Sequence, residues 1–557
     1  MRDILTFILI KSIIFKGYLD LWHLHRHTRK ARKKNDALLM KIIRDSQDTE
    51  YGKKYDFRNI RTVEDYRRKV PFSTYEDYKD YIMRMIMDDE KGLITNYPVI
   101  GFARTSGSTG EFKYIPATKP EVKVYTRYTL TTMMALTDKW CREKYGRGLK
   151  PGRGMFIMPS MNWTLPNGKP CTNIAQYSSD RLGFIYPYLI AFPFTKLFYP
   201  EEIEMRYVCL RLGLEDPNLA FIFVVFFTML HDTLVYLQCN WEILVDDIEK
   251  GTISDISLAA PEYKEKLLKH LKPNPGRASE LRKEFEKGFD ETIVSRIWPN
   301  MSVIYGIYNG IFTPYMKSVR KMTKDIPYDN SIYGASEGLI AVTDELNTDR
   351  RILLAESLYY EFIPLDDESK VLSLDELEPG KEYEIVITNP AGLYRYRIKD
   401  VVKVESYLND CPYILFSYRK GNLVSIAGEK TSENHVEKVI DLIEKESGCE
   451  SIRWAITVDI EGLQQQYVLL LENKEGKDLS IYEEIADEAL IQENPNYGAA
   501  RAGLSCMKIL NLKAGTFEAW KEKMLEKGTS PSQIKPVTVL DNDEKRDFFL
   551  SRIETRE

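Results

Sequence analysis

A loop of small and hydroxyl-bearing residues is the part of this chain whose chemistry is easiest to read. The loop consists of Thr105, Ser106, Gly107, Ser108, Thr109 and Gly110, and Lys113 follows three residues later. Glycines let backbone N–H groups turn inward, and the hydroxyls add donors aimed at the same anion. A polyphosphate suits such a loop best, although it lacks the Gly-Lys-Ser/Thr of a Walker P-loop. The alternative is a plain hairpin turn between strands at 98–104 and 111–116.

Three later segments favour the phosphate interpretation over the plain turn. They are Tyr333–Gly338 (Tyr-Gly-Ala-Ser-Glu-Gly), Tyr394–Val402 (Tyr-Arg-Tyr-Arg-Ile-Lys-Asp-Val-Val) and Gly428–Glu433 (Gly-Glu-Lys-Thr-Ser-Glu). In this order, the segments resemble the adenylate-forming superfamily, which includes acyl-CoA synthetases and luciferase. Within it the chain is most similar to the plant-type acyl-acid amido synthetases, which conjugate auxin, jasmonate or benzoates to amino acids. The resemblance covers nearly the whole chain, because 71–78, 241–252 and 297–300 also look like family segments.

The resemblance implies an ATP-dependent, Mg²⁺-requiring ligase. A carboxylate would attack the α-phosphorus, pyrophosphate would leave, and the acyl group would pass to an amine, with an amino acid as the expected acceptor. Backbone N–H groups, hydroxyls, a divalent cation and a lysine are the usual means of stabilising that charge. By resemblance, the phosphate-binding loop includes Ser106, Ser108, Thr109 and Lys113. Ser336 and Glu337 would lie by the α-phosphate, with Glu337 holding Mg²⁺ directly or through water.

The nucleoside would be held by residues of the second and third segments. Asp400 matches the family's ribose-binding aspartate, and Arg419 matches a nearby arginine that contacts the ribose or the α-phosphate. Tyr333 would stack near the adenine, with internal packing as the alternative. For Asp400 the alternative is an ion pair with Arg397 or Lys399. The family has glycine where this chain has Lys399, so a positive φ at that position would be strained here.

Two lysines are candidates for the catalytic cation. Lys535, in the segment Gln-Ile-Lys-Pro, resembles the lysine of the mobile domain that neutralises charge on the α-phosphate during adenylation. The alternative for Lys535 is a solvated loop lysine, since the chain has 78 Lys and Arg. Lys430 is the second candidate and could instead bind phosphate or position the domain.

Residues 305–312 are the candidates for contact with the acyl substrate. Tyr305, Tyr308 and Phe312 predict a hydrophobic or aromatic acid, and the open alternative is that these rings pack internally. The nucleophile is also open at this level, because an acid–thiol ligase making a CoA thioester differs only in what attacks the acyl-adenylate. The identity of the substrates does not follow from the resemblance, since specificity depends on pocket shape.

A serine hydrolase is a distant alternative. Residues 334–338 are formally Gly-x-Ser-x-Gly, which would make Ser336 the nucleophile. That chemistry needs a strand-to-helix elbow and a downstream histidine, and His435 is the only histidine that follows.

Bulk composition limits the partners. The chain has 557 residues, 43% of them hydrophobic, with a net charge of −5 and a pI near 5.9, so we expect no nucleic-acid partner. Its seven cysteines show no paired spacing, which predicts neither a zinc site nor disulfides and favours a reducing cytoplasm.

The N-terminal 34 residues form a basic, amphipathic extension. An apolar stretch from Ile4 to Trp22 is interrupted by Lys11 and Lys16, and six Lys or Arg follow between residues 25 and 34. The apolar runs are too short to span a bilayer, and no signal-peptide cleavage site follows. We expect a helix that lies on the body of the protein, and a helix on a membrane surface is the alternative.

Periodicity predicts an α/β protein of two domains. Residues 1–420 read as a large adenylate-forming domain in which sheets are flanked by helices and short strands at 383–426 make a small barrel or curled sheet. Residues 421–557 read as a smaller, mobile α+β lid, with a hinge at Arg419–Gly421. Thr118 and Glu121 predict a capping box that opens a helix continuing to about Tyr145.

Overall fold

The computed structural model describes residues 2–106, 112–157, 163–172, 174–193, 202–254, 261–290, 292–308, 313–324, 326–365, 367–419, 423–426, 429, 431–449, 452–459, 465–473, 475–526, 537–540 and 542–554. The chain folds into two compact units. The first comprises residues 1–105, 113–310 and 319–420, and the second comprises 106–112, 311–318 and 421–557. Helices and sheets occur in both units, so the predicted α/β class is confirmed.

Helices account for most of the first 150 residues and surround the sheets that follow. Their bounds are α1 Arg2–Thr28, α2 Ala31–Asp45, α3 Glu50–Lys54, α4 Val63–Lys69, α5 Glu76–Met87, α6 Lys119–Tyr128, α7 Leu130–Tyr145, α8 Ile174–Arg181, α9 Tyr186–Leu189, α10 Glu202–Glu215, α11 Phe227–Lys250, α12 Pro261–Leu268, α13 Pro275–Phe285, α14 Ile293–Ile297 and α15 Thr313–Thr323. Within the described ranges, no helix combines the length and apolar character that crossing a membrane requires.

The strands of the first unit form three sheets. The strands are β1 Val99–Ser106, β2 Phe112–Thr118, β3 Gly154–Ile157, β4 Trp163–Thr164, β5 Pro170–Thr172, β6 Phe221–Phe226, β7 Val303–Ile307, β8 Tyr328–Asp329, β9 Ile332–Ala335, β10 Gly338–Val342, β11 Arg351–Leu353, β12 Tyr359–Pro364, β13 Glu382–Thr388, β14 Tyr396–Leu408 and β15 Cys411–Arg419. Their orders are β2-β1-β5-β4, β3-β6-β7-β8 and β12-β13-β14-β15-β11-β10-β9.

The sheet β3-β6-β7-β8 is parallel throughout. Its strand β6 is a continuous apolar run, as expected for a strand covered on both faces, and it leads directly into α11.

The predicted helix from Thr118 to Tyr145 is two helices. The capping box of Thr118 and Glu121 is present at the start of α6. Thr129 then leaves the helical conformation, with φ −104° and ψ −103°, and α7 begins at Leu130. Threonine hydroxyls around the break bond to backbone carbonyls one turn back, for example Thr129 Oγ1 to Tyr125 O at 2.8 Å. Such bonds and the β-branched side chains weaken a helix, which explains the break.

The seven-stranded sheet contains β13, β14 and β15 from the region 383–426 where the sequence predicts short strands, whereas Leu423–Val424 pairs with Thr431–Ser432 in a separate two-stranded sheet. Neighbouring strands in the seven-stranded sheet are antiparallel, from β12 to β9. Register shifts interrupt the pairing of β13 with β14 and of β14 with β15. Bulges of this kind bend a strand and turn its side chains, so β14 is irregular on both of its edges.

The second unit is an α+β fold. Its elements are β16 Leu423–Val424, β17 Thr431–Ser432, α16 Glu433–Ser447, β18 Arg453–Asp459, β19 Gln466–Glu472, α17 Glu483–Glu493, α18 Pro495–Ala500, β20 Lys508–Asn511, α19 Thr516–Glu526 and α20 Asp543–Leu550. β19 pairs with β18 antiparallel and with β20 in parallel. Val537 and Leu540 join Trp520 and Phe549 in its core, and Ile456 N donates to Thr538 O at 2.8 Å.

Candidate nucleotide-binding site

The hydroxyl-rich loop connects two neighbouring strands of one sheet. Thr105 and Ser106 end β1, β2 begins at Phe112, and Gly107, Ser108, Thr109 and Gly110 lie outside the described residues. Lys113 lies on β2 with its ammonium 5.4 Å from the centre of the Tyr75 ring. The Tyr75 hydroxyl accepts a hydrogen bond from Tyr114 N at 3.0 Å. Neighbouring strands therefore flank the loop, and Tyr75 supports the strand on which Lys113 lies.

Tyr75 belongs to a segment that pairs with the third sequence motif. Ser73 N donates to Arg395 O at 3.0 Å, and Arg397 N donates to Ser73 O at 2.9 Å. The Ser73 hydroxyl adds a bond to Tyr394 O at 2.7 Å. Two segments that lie more than 300 residues apart in the sequence thus form one small ladder at the start of β14.

Tyr333 and Asp400 join the second and third motifs. The Tyr333 hydroxyl donates to Asp400 Oδ2 at 2.8 Å. Asp400 is 3% exposed, and the Tyr333 ring meets the Phe416 ring edge-on at 5.6 Å. Phe416 is 39% exposed on β15, and the sequence analysis missed it. An aromatic pair beside an oriented carboxylate is a surface that can hold a base and a sugar.

The irregular course of β14 positions Asp400. Arg397 pairs with Val386 of β13 and Val401 pairs with Glu384, so the segment between them bulges. Lys399 lies in this bulge with φ +64°, the left-handed conformation that glycine adopts most easily. The strain expected from lysine at this family position is therefore real. Bulges commonly re-aim side chains beside active sites.

Arg397, which the sequence offered as an ion-pair partner of Asp400, pairs with a different carboxylate. Its guanidinium forms a bidentate pair with Glu384, with Nε–Oε1 2.7 Å and Nη2–Oε2 2.6 Å. Glu384 is fully buried, which favours a tightly paired cation. Opposite Asp400, the residue in register on β15 is Arg419.

Ser336 and Glu337 form the two-residue turn between β9 and β10. Asn389 Nδ2 donates to Glu337 O at 2.8 Å, while its Oδ1 accepts from Leu393 N at 2.9 Å. The Tyr125 hydroxyl of α6 donates to Ala335 O at 2.9 Å. Tyr125 and Asn389 therefore fix the backbone on both sides of the half-buried Ser336 and Glu337 side chains. Sequence reasoning missed Asn389 and Tyr125, because the sequence does not indicate which segments they will touch.

Glu121 brings a second carboxylate to the neighbourhood of Glu337. Its Oε2 accepts from Thr118 N at 3.0 Å and from the Thr118 hydroxyl at 2.8 Å. Burial, with a smaller contribution from the nearby charge of Glu337, raises the pKa of Glu121 to about 8. Its buried Oε1 has no hydrogen-bond partner among the described residues. A buried carboxyl whose pKa is raised beside a second carboxylate, and which keeps an unpaired oxygen, marks an environment that favours a cation.

Three domain models of one protein family match this chain. The GH3 family N-terminal domain matches residues 21–328, the GH3 family central domain matches 351–419 and the GH3 family C-terminal domain matches 434–544. This chain belongs to the GH3 family. The motifs that meet around Asp400 thus fall within the N-terminal and central family domains or between them.

Relatives and a solved structure resemble this GH3 chain over nearly its full length. The probable indole-3-acetic acid-amido synthetase GH3.1 of Arabidopsis thaliana is 27% identical, over 91% of this chain and 89% of that protein. The jasmonoyl-L-amino acid synthetase GH3.5 of Oryza sativa subsp. japonica is also 27% identical, over 91% and 92%. The structure of AtGH3.15 acyl acid amido synthetase in complex with 2,4-DB superposes with a TM-score of 0.67 at 22% identity, covering 97% of this chain and 96% of that one. The fold is that of an acyl acid amido synthetase.

The hydrolase alternative for this GH3 chain is wrong. A nucleophile elbow leads a strand into a helix, whereas Ser336 lies in the turn of a β-hairpin whose second strand begins at Gly338. The turn presents its side chains to a site beside the sheet and lacks the helix N-terminus on which the elbow depends.

The two tyrosines predicted to contact the acyl group have different environments. Tyr305 is 1% exposed, and its hydroxyl bonds to the Thr137 hydroxyl at 2.6 Å, so it packs inside the unit. Tyr308 is half-buried and meets the rings of Phe227 at 5.4 Å and Tyr328 at 5.9 Å. Phe312 lies outside the described residues.

Neither lysine candidate in the second unit can be placed, because Lys430 and Lys535 lie outside the described residues. The residue that precedes Lys430 is well anchored. Glu429 is buried and accepts from Ile426 N at 2.6 Å and from the Tyr467 hydroxyl, and Asn494 Nδ2 donates to Glu429 O at 3.2 Å. Glu429 thereby fixes the backbone on one side of Lys430.

Proposed function

We propose that this GH3 protein is an ATP-dependent ligase that adenylates a carboxylic acid and transfers the acyl group to the amine of an amino acid. In the first step, an oxygen of the acid attacks the α-phosphorus and the bond to the β-phosphate breaks, releasing pyrophosphate. In the second step, the amine nitrogen attacks the acyl carbon and AMP leaves. The names of the full-length relatives support this assignment.

The observation that carries the proposal is the bond between Tyr333 and Asp400. It orients a buried carboxylate beside an exposed aromatic face, and a carboxylate can accept from both hydroxyls of a ribose. We propose that Asp400 binds the ribose, that Tyr333 and Phe416 flank the adenine, and that Arg419 contacts the ribose or the α-phosphate. The register of Arg419 with Asp400 supports its part.

The phosphates would be held by the hairpin loop and by the turn at 336–337. We propose that Thr105 to Gly110 and Lys113 bind the β- and γ-phosphates and that Ser336 lies by the α-phosphate. Mg²⁺ fits this region, because Glu337 is a hard anionic ligand and an ion bound beside it would favour loss of the proton that the raised pKa of Glu121 retains. Glu337 would hold the ion directly or through water, and the ion would neutralise phosphate charge as pyrophosphate departs.

The second unit would act as a lid that supplies Lys535 to the α-phosphate during adenylation. Its separate core and its own sheet support independent motion of residues 421–557. Lys430 would bind phosphate or position the lid, because the buried Glu429 next to it already ties that backbone to the second unit.

The acid is proposed to be hydrophobic or aromatic, with Tyr308 as the candidate contact. Tyr305 would affect the acyl site only through packing, since the Tyr305 side chain is buried. A reducing cytoplasm is the proposed location, because all seven cysteines lie in the described part of the chain and all are free thiols.

Pyrophosphate release from ATP across a panel of carboxylic acids tests the proposal, with mixed amino acids or CoA as acceptors. Acid-dependent release followed by an acyl–amino acid product is expected. Release that yields a CoA thioester instead would assign an acid–thiol ligase. A protein that binds no ATP under these conditions would contradict the nucleotide site itself.

A further inference from the structure

Helix α1 is firmly attached to the first unit by one face. Ile10, Ile14 and Leu24 of that face are buried. Side-chain bonds reinforce the packing, including the Thr131 hydroxyl to Asp20 at 2.8 Å and the Thr6 hydroxyl to Tyr188 O at 2.9 Å. A Cβ on Gly17 would lie 1.9 Å from Thr131 O, so the backbones of α1 and α7 approach closely. The expected helix on the body of the protein is therefore present.

The opposite face of α1 is also apolar, and it is exposed. Its side chains are between 52% and 68% exposed and recur at the spacing of one helical stripe: Ile4, Ile8, Phe15, Leu19 and Trp22. The stripe is about 27 Å long at 1.5 Å per residue. Isolated exposed apolar residues are normal on a protein surface, whereas an ordered stripe of this length marks an interaction surface.

A cluster of cations follows the stripe where α1 ends and the chain passes into α2. Arg26 follows Trp22 by one turn, and its guanidinium lies 5.4 Å from the centre of the indole. Arg29, Lys30 and Lys33 follow, and all four side chains are exposed. Lys34 and Arg32 differ, because Lys34 donates to Arg26 O and Arg32 pairs with Asp36 and Asp375. The exposed positive charge stands out in a chain whose net charge is −5.

We propose that this outer face, defined as Ile4, Ile8, Phe15, Leu19 and Trp22 with Arg26, Arg29, Lys30 and Lys33, is a membrane-surface anchor for anionic bilayers. The helix lies parallel to the membrane plane, because its inner face is already bound to α7. The apolar side chains enter the interfacial region, Trp22 lies at the headgroup level, and the cations meet lipid phosphates.

The charge of this face favours a lipid surface over a second copy of the chain. Apolar insertion combined with a cluster of cations is the pair of signals that holds a protein on an anionic bilayer. Two copies that met through this face would bring like charges together.

Sedimentation of the full chain with lipid vesicles tests the anchor. Vesicles of phosphatidylcholine with about 30% phosphatidylserine are compared with phosphatidylcholine alone at about 0.1 M salt, and again at about 1 M salt, where the Debye length falls to about 3 Å. Binding is expected with phosphatidylserine, and it should weaken at high salt. No binding to either vesicle would overturn the proposal.

Two pairs of variants separate the anchor from a general surface effect. Phe15→Ser with Trp22→Ser should lower the bound fraction about tenfold or more, because two of the inserted rings are lost. Ile243→Ser with Ile481→Ser is the matched control, since those side chains are 41% and 72% exposed outside α1, and it should bind like the parent. Arg29→Glu with Lys33→Glu should also lose binding, whereas Lys266→Glu with Lys269→Glu should not.

The oligomeric state in solution tests the competing hypothesis that a second copy of the chain covers the outer face of α1. The parent and the Phe15→Ser/Trp22→Ser variant are compared by sedimentation velocity without lipid, and both are expected to be in the same state. A parent that self-associates, and a double variant that does not, would overturn the membrane assignment in favour of a second copy if vesicle binding is absent as well.

Discussion

Tyr333 donates a hydrogen bond to Asp400 at 2.8 Å, and this bond ties together two motifs 67 residues apart. It gives a buried carboxylate a defined orientation next to the exposed edge of Phe416. The proposed ribose site depends on that orientation, so the bond is the first relationship to perturb.

Removing the carboxylate should weaken ATP binding. We expect Asp400→Ala to raise the KM for ATP by about 100-fold and Tyr333→Phe by about tenfold, because the first removes the acceptor and the second only its orienting donor. Pyrophosphate release measured against ATP concentration gives both values. Glu405→Ala, an exposed carboxylate farther along β14, is the control and should leave KM unchanged. Equal effects of Asp400→Ala and Glu405→Ala would exclude Asp400 from the nucleotide site.

Lys535 should act in adenylation and not in acyl transfer. Lys535→Ala is expected to slow pyrophosphate release by on the order of 100-fold, because a cation that stabilises developing phosphate charge is lost. ATP affinity and amide formation from supplied acyl-adenylate should stay near the parent values. Lys430→Ala tests the second candidate, and Lys508→Ala, an exposed lysine of the same unit, is the control. Normal adenylation by Lys535→Ala would place the catalytic cation elsewhere.

Replacing Lys399 with glycine should stabilise the folded protein. Lys399→Gly is expected to raise the free energy of unfolding by about 0.5–1 kcal/mol, because an L-residue at φ +64° is strained and glycine is not. Lys403→Gly is the matched control on the same strand, where φ is not positive, and it should lower stability by a similar amount. Urea unfolding of the parent and both variants measures the difference. A loss of stability in both would refute strain at Lys399.

Asp329 should make the first unit less stable as pH rises. Burial raises the pKa of this carboxyl from 3.8 to about 7, so the folded protein keeps a proton that the unfolded chain releases. The stabilisation is complete below about pH 4 and is lost as pH rises through about 7. Asp329→Asn should reduce this slope in plots of Tm against pH, and the part that remains is expected from Glu121, whose pKa is raised to about 8.

The matched control for Asp329 is Asp65, a carboxyl whose pKa is lowered in the folded protein where that of Asp329 is raised. A backbone N–H bond from Arg61 holds the pKa of the exposed Asp65 below its usual range. Its contribution is present above pH 4 and lost at lower pH, so Asp65→Asn should leave the slope between pH 5 and 8 as in the parent. A slope that is undiminished in Asp329→Asn would show that another group titrates there.

Local signals account for what the sequence by itself determined. The family motifs and the capping box of Thr118 and Glu121 depend on residues a few positions apart. Hydrogen-bonding types and periodicity over such distances are readable without a structure. The helix break at Thr129 was missed, because the competing threonine bonds do not alter the apolar spacing.

Tertiary structure alone decided which distant groups meet. The bulge in β14 turns Asp400 towards Tyr333, Asn389 reaches back 52 residues to the Glu337 backbone, and Ser73 pairs with Arg395. It also decided that one apolar face of α1 is covered by α7 while the other is exposed. Register shifts and helix docking depend on packing summed over whole sheets, and no short stretch of sequence contains that information.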